Sequence, residues 1–369
     1  MNRREEILEK HARVKDYMIG HDLDGVFLNS VANFAWFSAG GDSHVENHSK
    51  FGVASFLVTK SKRFLLTNNI EIERIITEQL TGVEDLFEVV VYDWYDSDGG
   101  AEALLSITKY QVIAGDHSNK SIKPLPFDFN HLRYRMSEGE VDRSRWLGKN
   151  TAEAVEAAAR SIQPGMTEFE IEAIMSSEIT RRGIQPVVLL VAGNDRNDKY
   201  RHPVPTMTQF THFAKMVCCA RKWGLITALT RCVFAGQTPQ DLTAKQQAVA
   251  YVDSVYINAT QPGNSVGKII DAGKSAYEKT GFPNEWRLHH QGGAIGYEAR
   301  EYLGTSNSAD TVLCPQTFAW NPSIEGNKSE DTILVTDAGI EIMTETGNWP
   351  QLSFEVDGKA YCRPGILEI

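Results

Sequence analysis

The chemistry-bearing residues of this chain crowd into one stretch, 288–302, which reads LHHQGGAIGYEAREY and sets paired histidines and glutamates around a short apolar segment. Imidazoles and carboxylates at this density are the equipment of proton transfer, because a neutral imidazole near pH 7 can take a proton from water and return it to a leaving nitrogen. Two more residues suit the same chemistry. His202, beside Pro203 in the polar loop AGNDRNDKYRHPVPT, has the right side chain for it, although the residues alone favour a solvated loop histidine. Glu330, in Ser329-Glu330-Asp331-Thr332 just before the apolar run 333–335, stands where either an interior carboxylate or an edge-strand charge could stand. Neighbours on a strand face opposite ways, so at most one of His289 and His290 is expected to line a shared cavity.

The 288–302 pattern resembles the HxxGHxxGxxxHE signature of the creatinase, methionine aminopeptidase and prolidase superfamily. SIQPGMTEFEIEA resembles that superfamily's PGMTExE segment, and PQTFAWNPSIEGNKSEDTILVTDAGIEIMTE resembles its closing segment, so the likeness spans 137–345. It implies an α/β two-domain protein. A creatinase-like N-terminal α/β domain would occupy 1–130, and an α+β pita-bread domain 136–369. In the peptidase members this fold holds two metal ions, and there the chain departs from the pattern. Aligned on Ile295-Gly296, the metal-binding histidine falls on Gly293, and the histidine before the acidic residue falls on Arg300 before Glu301. The D-x-T-R element falls on Ala228-Leu229-Thr230-Arg231, its partner aspartate on Val217, and the glutamate before proline on Asn321. Glu330 alone survives of the roughly five Asp, Glu and His donors that a pair of borderline cations requires. Arginine offers no lone pair, and glycine, valine and alanine offer no side-chain donor. The expectation is therefore no bound metal and no cofactor.

Creatinase shares the fold and hydrolyses a carbon–nitrogen bond without metal. It resembles this chain in keeping a loop histidine, here His202, and a terminal-strand glutamate, here Glu330. The resemblance thus implies a metal-independent, creatinase-like hydrolase or lyase acting on a C–N bond of a small amino-acid-derived or amidino substrate. His202 would be its general acid–base, with Glu330 and His289 completing the catalytic set. Arg300, Asn321, Arg231 and Lys328 would contact substrate, Arg300 through its bidentate fork, and both arginines would also neutralise buried carboxylates. Creatinase's other substrate-holding glutamate has no match, since 214–238 contains neither Asp nor Glu. Two alternatives stand beside this reading: an Xaa-Pro aminopeptidase or dipeptidase that recruits metal differently, and a catalytically silent peptide-binding pseudoenzyme. The superfamily's habits imply a homodimer acting on a small molecule or short peptide.

The elements that must position these residues are legible from periodicity and caps. Ser137-x-x-Glu140 is a capping box opening a long helix through Ala159, and Thr167-x-x-Glu170 opens another that ends at Gly183. Apolar runs predict strands over 187–191, 216–220 and 225–233, followed by helices over 244–259 and 266–279. Upstream, a helix with Ile7, Leu8, His11, Val14 and Met18 on one face leads into a strand at 24–28 and a hairpin of 54–59 with 63–67. A helix from Ile70 capped by Asn69, a strand at 87–92, a helix near 101–108 and a strand at 111–114 complete a mixed or parallel sheet covered by helices. The linker is expected in 118–135, where Pro124 and Pro126 break the periodicity. A net charge of −11 without clustered Lys or Arg argues against nucleic acid and anionic membranes as partners. No apolar run reaches the ~18 residues of a membrane span. The five cysteines form no C-x-x-C pair, which suits reduced thiols in a cytoplasmic protein.

Overall fold

Alternating strands and helices in the first third of the chain close a mixed sheet, and a second, larger set of strands curves around the histidine-rich stretch. The structure, a computed structural model, describes residues 1–108, 111–118 and 122–369. It divides into two units: Met1–Glu140 with Trp223–Leu225, and Val141–Lys222 with Ile226–Ile369. Residues 119–121 of the expected linker lie outside the described residues.

In the first unit, strands β1 (Gly25–Ser30), β2 (Phe51–Thr59), β3 (Arg63–Asn68), β4 (Glu88–Tyr92), β5 (Ile113–Gly115) and β6 (Lys123–Pro124) form one sheet in the order β4-β3-β2-β1-β5-β6. The pairing is mixed, with β2 antiparallel to both neighbours and β5 parallel to β1. The first helix, Arg3–Gly20, opens with an Asn2–Glu5 capping box and buries Ile7, Val14, Tyr17 and Met18, while Leu8 stays exposed. Its Lys10 is wholly buried between Glu6 and Glu140, at 2.6 and 2.8 Å. That double ion pair ties the start of helix Glu138–Ser161 to the first helix. The turn after β3 differs from expectation. Asn68, not Asn69, accepts from the amides of Ile70 and Glu71, and the segment runs on as a short helix, Ile72–Arg74, and a π turn, Ile75–Gln79.

The second unit begins with two helices, Glu138–Ser161 and Glu168–Thr180, each opened by the capping box that its sequence specifies. Strands β7 (Gln185–Gly193), β8 (Phe213–Lys222), β9 (Leu225–Phe234) and a distant C-terminal strand, Ile366–Glu368, make a four-stranded sheet. A second sheet comprises β10 (Gly292–Ala294), β11 (Tyr302–Leu303), β12 (Gln316–Trp320), a strand over Asp331–Thr336 and another over Gly339–Ile342. Between β12 and Asp331–Thr336 lies a tight hairpin, β13 (Ser323–Ile324) with β14 (Asn327–Lys328), and we number Asp331–Thr336 as β15. The sheets are stitched where Ala228 of β9 exchanges hydrogen bonds with the Thr332 hydroxyl, at 2.7 and 2.8 Å. Helices Gln240–Ala259 and Val266–Lys279 cover the outer face through Tyr256, Ile270, Phe318, Trp320, Ile333 and Val335. Gly273 is obligatory in this packing, since a Cβ there would sit 2.1 Å from the Tyr256 ring.

Beneath β15 runs a buried ionic network. Arg363 pairs with Asp253 and Asp331, each at 2.7 Å, and Arg231 pairs with Asp331 at 3.0 Å and Glu156 at 3.3 Å. Removing one member of such a network strands a charge in low dielectric. We expect Arg363→Met to lose about 3–5 kcal/mol of stability, read from the urea midpoint of the second unit. A loss within experimental error would mean that the network is not held together by Arg363.

Candidate functional site

Strand parity decides which residues share the inner face. Cys219 of β8, Ile226 and Ala228 of β9, Ile295, and Ala319 of β12 pack into one small apolar cluster. Side chains two apart on a strand share a face, so Lys215 and Val217 join Cys219, and Thr230 and Cys232 join Ala228. The same rule separates adjacent residues. Glu330 turns toward Thr230, whose hydroxyl donates to it at 2.9 Å, while Asp331 turns away to Arg231 and Arg363.

Arg231, expected to contact substrate, is thereby corrected. It is 2% exposed, and its guanidinium is spent on Glu156, Asp331 and the carbonyl of Thr344, so it braces β15 from behind. The other expected residues fall on or beside the inner face. Glu330 is 1% exposed and held by Lys328 at 2.7 Å and Arg300 at 3.0 Å. Burial opposes its charge, yet Lys328 and Arg300, with the Thr230 hydroxyl, keep the carboxyl below its ordinary range.

His202 and His289 meet Nε2 to Nε2 at 3.0 Å, one ring donating and the other accepting. His290 stacks on His289 with centroids 4.5 Å apart and lies 5.7 Å from His202, so both neighbouring histidines reach the site. The expectation of one or the other fails because 289–290 follow the 3-10 turn Glu285–Leu288 as irregular chain and do not belong to a strand. Buried Gln291 fixes this bend by donating to the His289 carbonyl at 2.6 Å while accepting from Tyr277 and Tyr256. His202 is held by its neighbour: Arg201 bonds Ser323 at 3.1 Å and pairs with Glu285. Burial, then the positive charges of Lys328 and other nearby cations, push all three imidazoles below their ordinary value, His290 to about 4. They are neutral at pH 7, with lone pairs available.

Sequence reading missed Lys215, Arg201 and the joint use of His289 and His290. Lys215 had a usable signal: it is the one charge in the apolar run FAKMVCCA, at a position that parity places on the inner face. Burial lowers it to about 8.

The donor set does not fit the dinuclear centre that the fold implies. Ala228 is embedded in the apolar cluster, and a Cβ on Gly293 would lie 2.1 Å from the Tyr302 carbonyl oxygen. Asn321 is neutral, and Glu330 is already neutralised by two side-chain cations. The nitrogens of His202, His289 and His290 lie within 4.8 Å of one another, a spacing from which a cation could be held, but the charges of Lys328, Arg300 and Lys215 oppose one there.

These shifts set the acid stability. Each imidazole has a folded-state value below its unfolded value near 6.5, so the unfolded chain binds protons first; its contribution is intact above ~6.5 and lost as pH falls toward about 4. Glu330, depressed, holds its contribution above the ordinary carboxylate range and loses it only as pH falls through its lowered value. We expect the urea midpoint to fall between pH 7 and pH 4.5 and His290→Asn to flatten that fall. Parallel curves for the two proteins would show that His290 does not titrate in this way.

Comparison with known proteins places this geometry. The sequence model of metallopeptidase family M24 matches residues 144–337. An uncharacterized peptidase of Staphylococcus aureus (strain MW2) is 20% identical over 353 residues, covering 91% of this chain and 99% of the relative. An Xaa-Pro dipeptidase from Bacillus anthracis superposes with a TM-score of 0.76 at 18% identity, covering 98% of this chain and 100% of the other. An X-Pro aminopeptidase from Thermotoga maritima gives 0.76 at 16%, covering 96% and 100%. This chain is similar to those proteins in fold throughout its length, and with its two-domain α/β architecture and curved catalytic-type unit it belongs to metallopeptidase family M24, in the creatinase and prolidase superfamily of peptidase-type hydrolases.

Proposed function

We propose that the chain is a metal-independent, creatinase-like hydrolase of a C–N bond in a small amino-acid-derived substrate. The observation that carries this is the His202–His289 contact at 3.0 Å beside a carboxylate clasped by two side-chain cations. His202, at the exposed mouth, takes a proton from water as the oxygen attacks the carbon of the C–N bond. The same imidazolium then returns the proton to the departing nitrogen, and His289, behind it, orients the ring. Lys328 and Arg300 supply the positive charge that metal ions would otherwise bring to Glu330, and they are placed to steady developing negative charge. An amidino group would meet these cations unfavourably, which favours an amino-acid-derived substrate over an amidino one.

A second reading, a silent peptide-binding member of the family, is favoured by the lost donors alone. The two separate on one assay of metal-depleted protein against amino-acid amides, N-acyl amino acids and Xaa-Pro peptides. On the substrate found, His202→Ala should lower kcat by about 10²–10⁴, and EDTA should change nothing. The acid limb of the rate profile should lie below ~6.5, since burial and Lys328 favour the neutral ring. Near-normal turnover by His202→Ala, or loss of activity with EDTA, would overturn the reading; no turnover on any member of the panel would support the silent module.

A further inference from the structure

The inner face carries more positive charge than it neutralises. Lys215, Lys328 and Arg300 all act on His202 there, and Lys328 and Arg300 share the buried carboxylate of Glu330; Glu301, also buried, follows Arg300 in the chain and accepts from the Tyr297 amide. Arg201 pairs with Glu285, yet its positive charge still reaches Lys215 and His289. Lys215 is 3% exposed and, among the described residues, forms no ion pair; its ammonium has a single long bond, 3.4 Å to the Gly326 carbonyl. Asp198 lies beside Gly326 but is exposed, so solvent screens its help. A buried ammonium without an anion is costly unless a ligand supplies one.

Two polar atoms add direction. Among the described residues, Arg300 Nε is buried without an acceptor and Asn321 Oδ1 is buried without a donor. Arg300 pairs with Glu330, and the Asn321 backbone amide donates at 3.1 Å to the carbonyl of Gln291, whose side chain in turn holds the His289 carbonyl. A ligand that completes this set brings two negative groups and one N–H.

We propose that this inner face recognises an N-substituted amino dicarboxylate, with one carboxylate on Arg300 and Lys328, the second drawn toward Lys215, and the N–H facing Asn321 Oδ1. The inference deepens the hydrolase reading, on which its naming of a substrate rests, but binding does not require turnover. The surplus that favours a dianion disfavours a metal dication on the three imidazoles.

The test is calorimetric titration of metal-depleted, full-length protein with N-acetyl-L-glutamate, N-acetyl-L-glutamine, inorganic phosphate and zinc chloride. The glutamate derivative should bind about tenfold or more tightly than the glutamine derivative, a difference worth one buried charge contact. Lys215→Met should erase most of that preference, while His202→Ala keeps it. At pH 8, titrations in buffers of unequal ionisation heat should show proton uptake by the wild type, as an anion restores the charge of Lys215, and none by Lys215→Met. Circular dichroism of each variant separates lost binding from lost fold; should Lys215→Met not fold, Lys215→Arg, which keeps the charge and cannot release its proton, should retain the preference and lose the proton uptake. Equal affinity for the two derivatives, binding by phosphate alone, stoichiometric zinc uptake without dicarboxylate binding, or no binding by any probe would overturn the proposal. Selective binding without turnover would leave it standing and count against the hydrolase reading alone.

Discussion

Everything distinctive about this site depends on one buried carboxylate held by two side-chain cations. Glu330 sits at 1% exposure, a position that no lone carboxylate tolerates, and Lys328 and Arg300 make it tolerable at 2.7 and 3.0 Å. The family's other ligand positions offer no acidic side chain around it: Ala228 packs in an apolar cluster, Val217 is buried, and Gly293 makes a tight backbone approach. Burial first, and the nearby cations second, keep the three imidazoles neutral with lone pairs free for a proton.

That arrangement is positioned by strand alternation and by two clamps. Thr230 and Glu330 face inward while Arg231 and Asp331 face the buried network, so two consecutive pairs of residues divide function from support along the same strands. The clamps act on irregular chain. Gln291 ties the His289 carbonyl to Tyr256 and Tyr277, and Arg201 ties the His202 loop to Ser323 and Glu285. Histidines on loops need such clamps, because no ladder of backbone bonds fixes their direction.

Much of the fold was open to reading from residues alone. Capping boxes at Ser137–Glu140 and Thr167–Glu170 and the helix at Val266–Lys279 lie where the sequence puts them, since caps and 3.6-residue periodicity are local properties. A departure arose where the sheet intervened: Asn68 displaces Asn69 as the turn's acceptor because β3 delivers it there.

The sequence by itself determined the family, the loss of the metal donors and the candidacy of His202, Glu330, His289 and Arg300, because residue identity decides which atoms can ligate, donate or carry charge. Tertiary structure decided the sharing of those atoms. It paired Glu330 with both Lys328 and Arg300, sent Arg231 to the supporting network, bent 289–290 so that both histidines meet His202, and buried Lys215 with no ion pair among the described residues. Each of these outcomes follows from contacts between strands and loops remote in sequence, and burial, which sets the strength of every charge in the site, is a property of the closed fold and of no single segment.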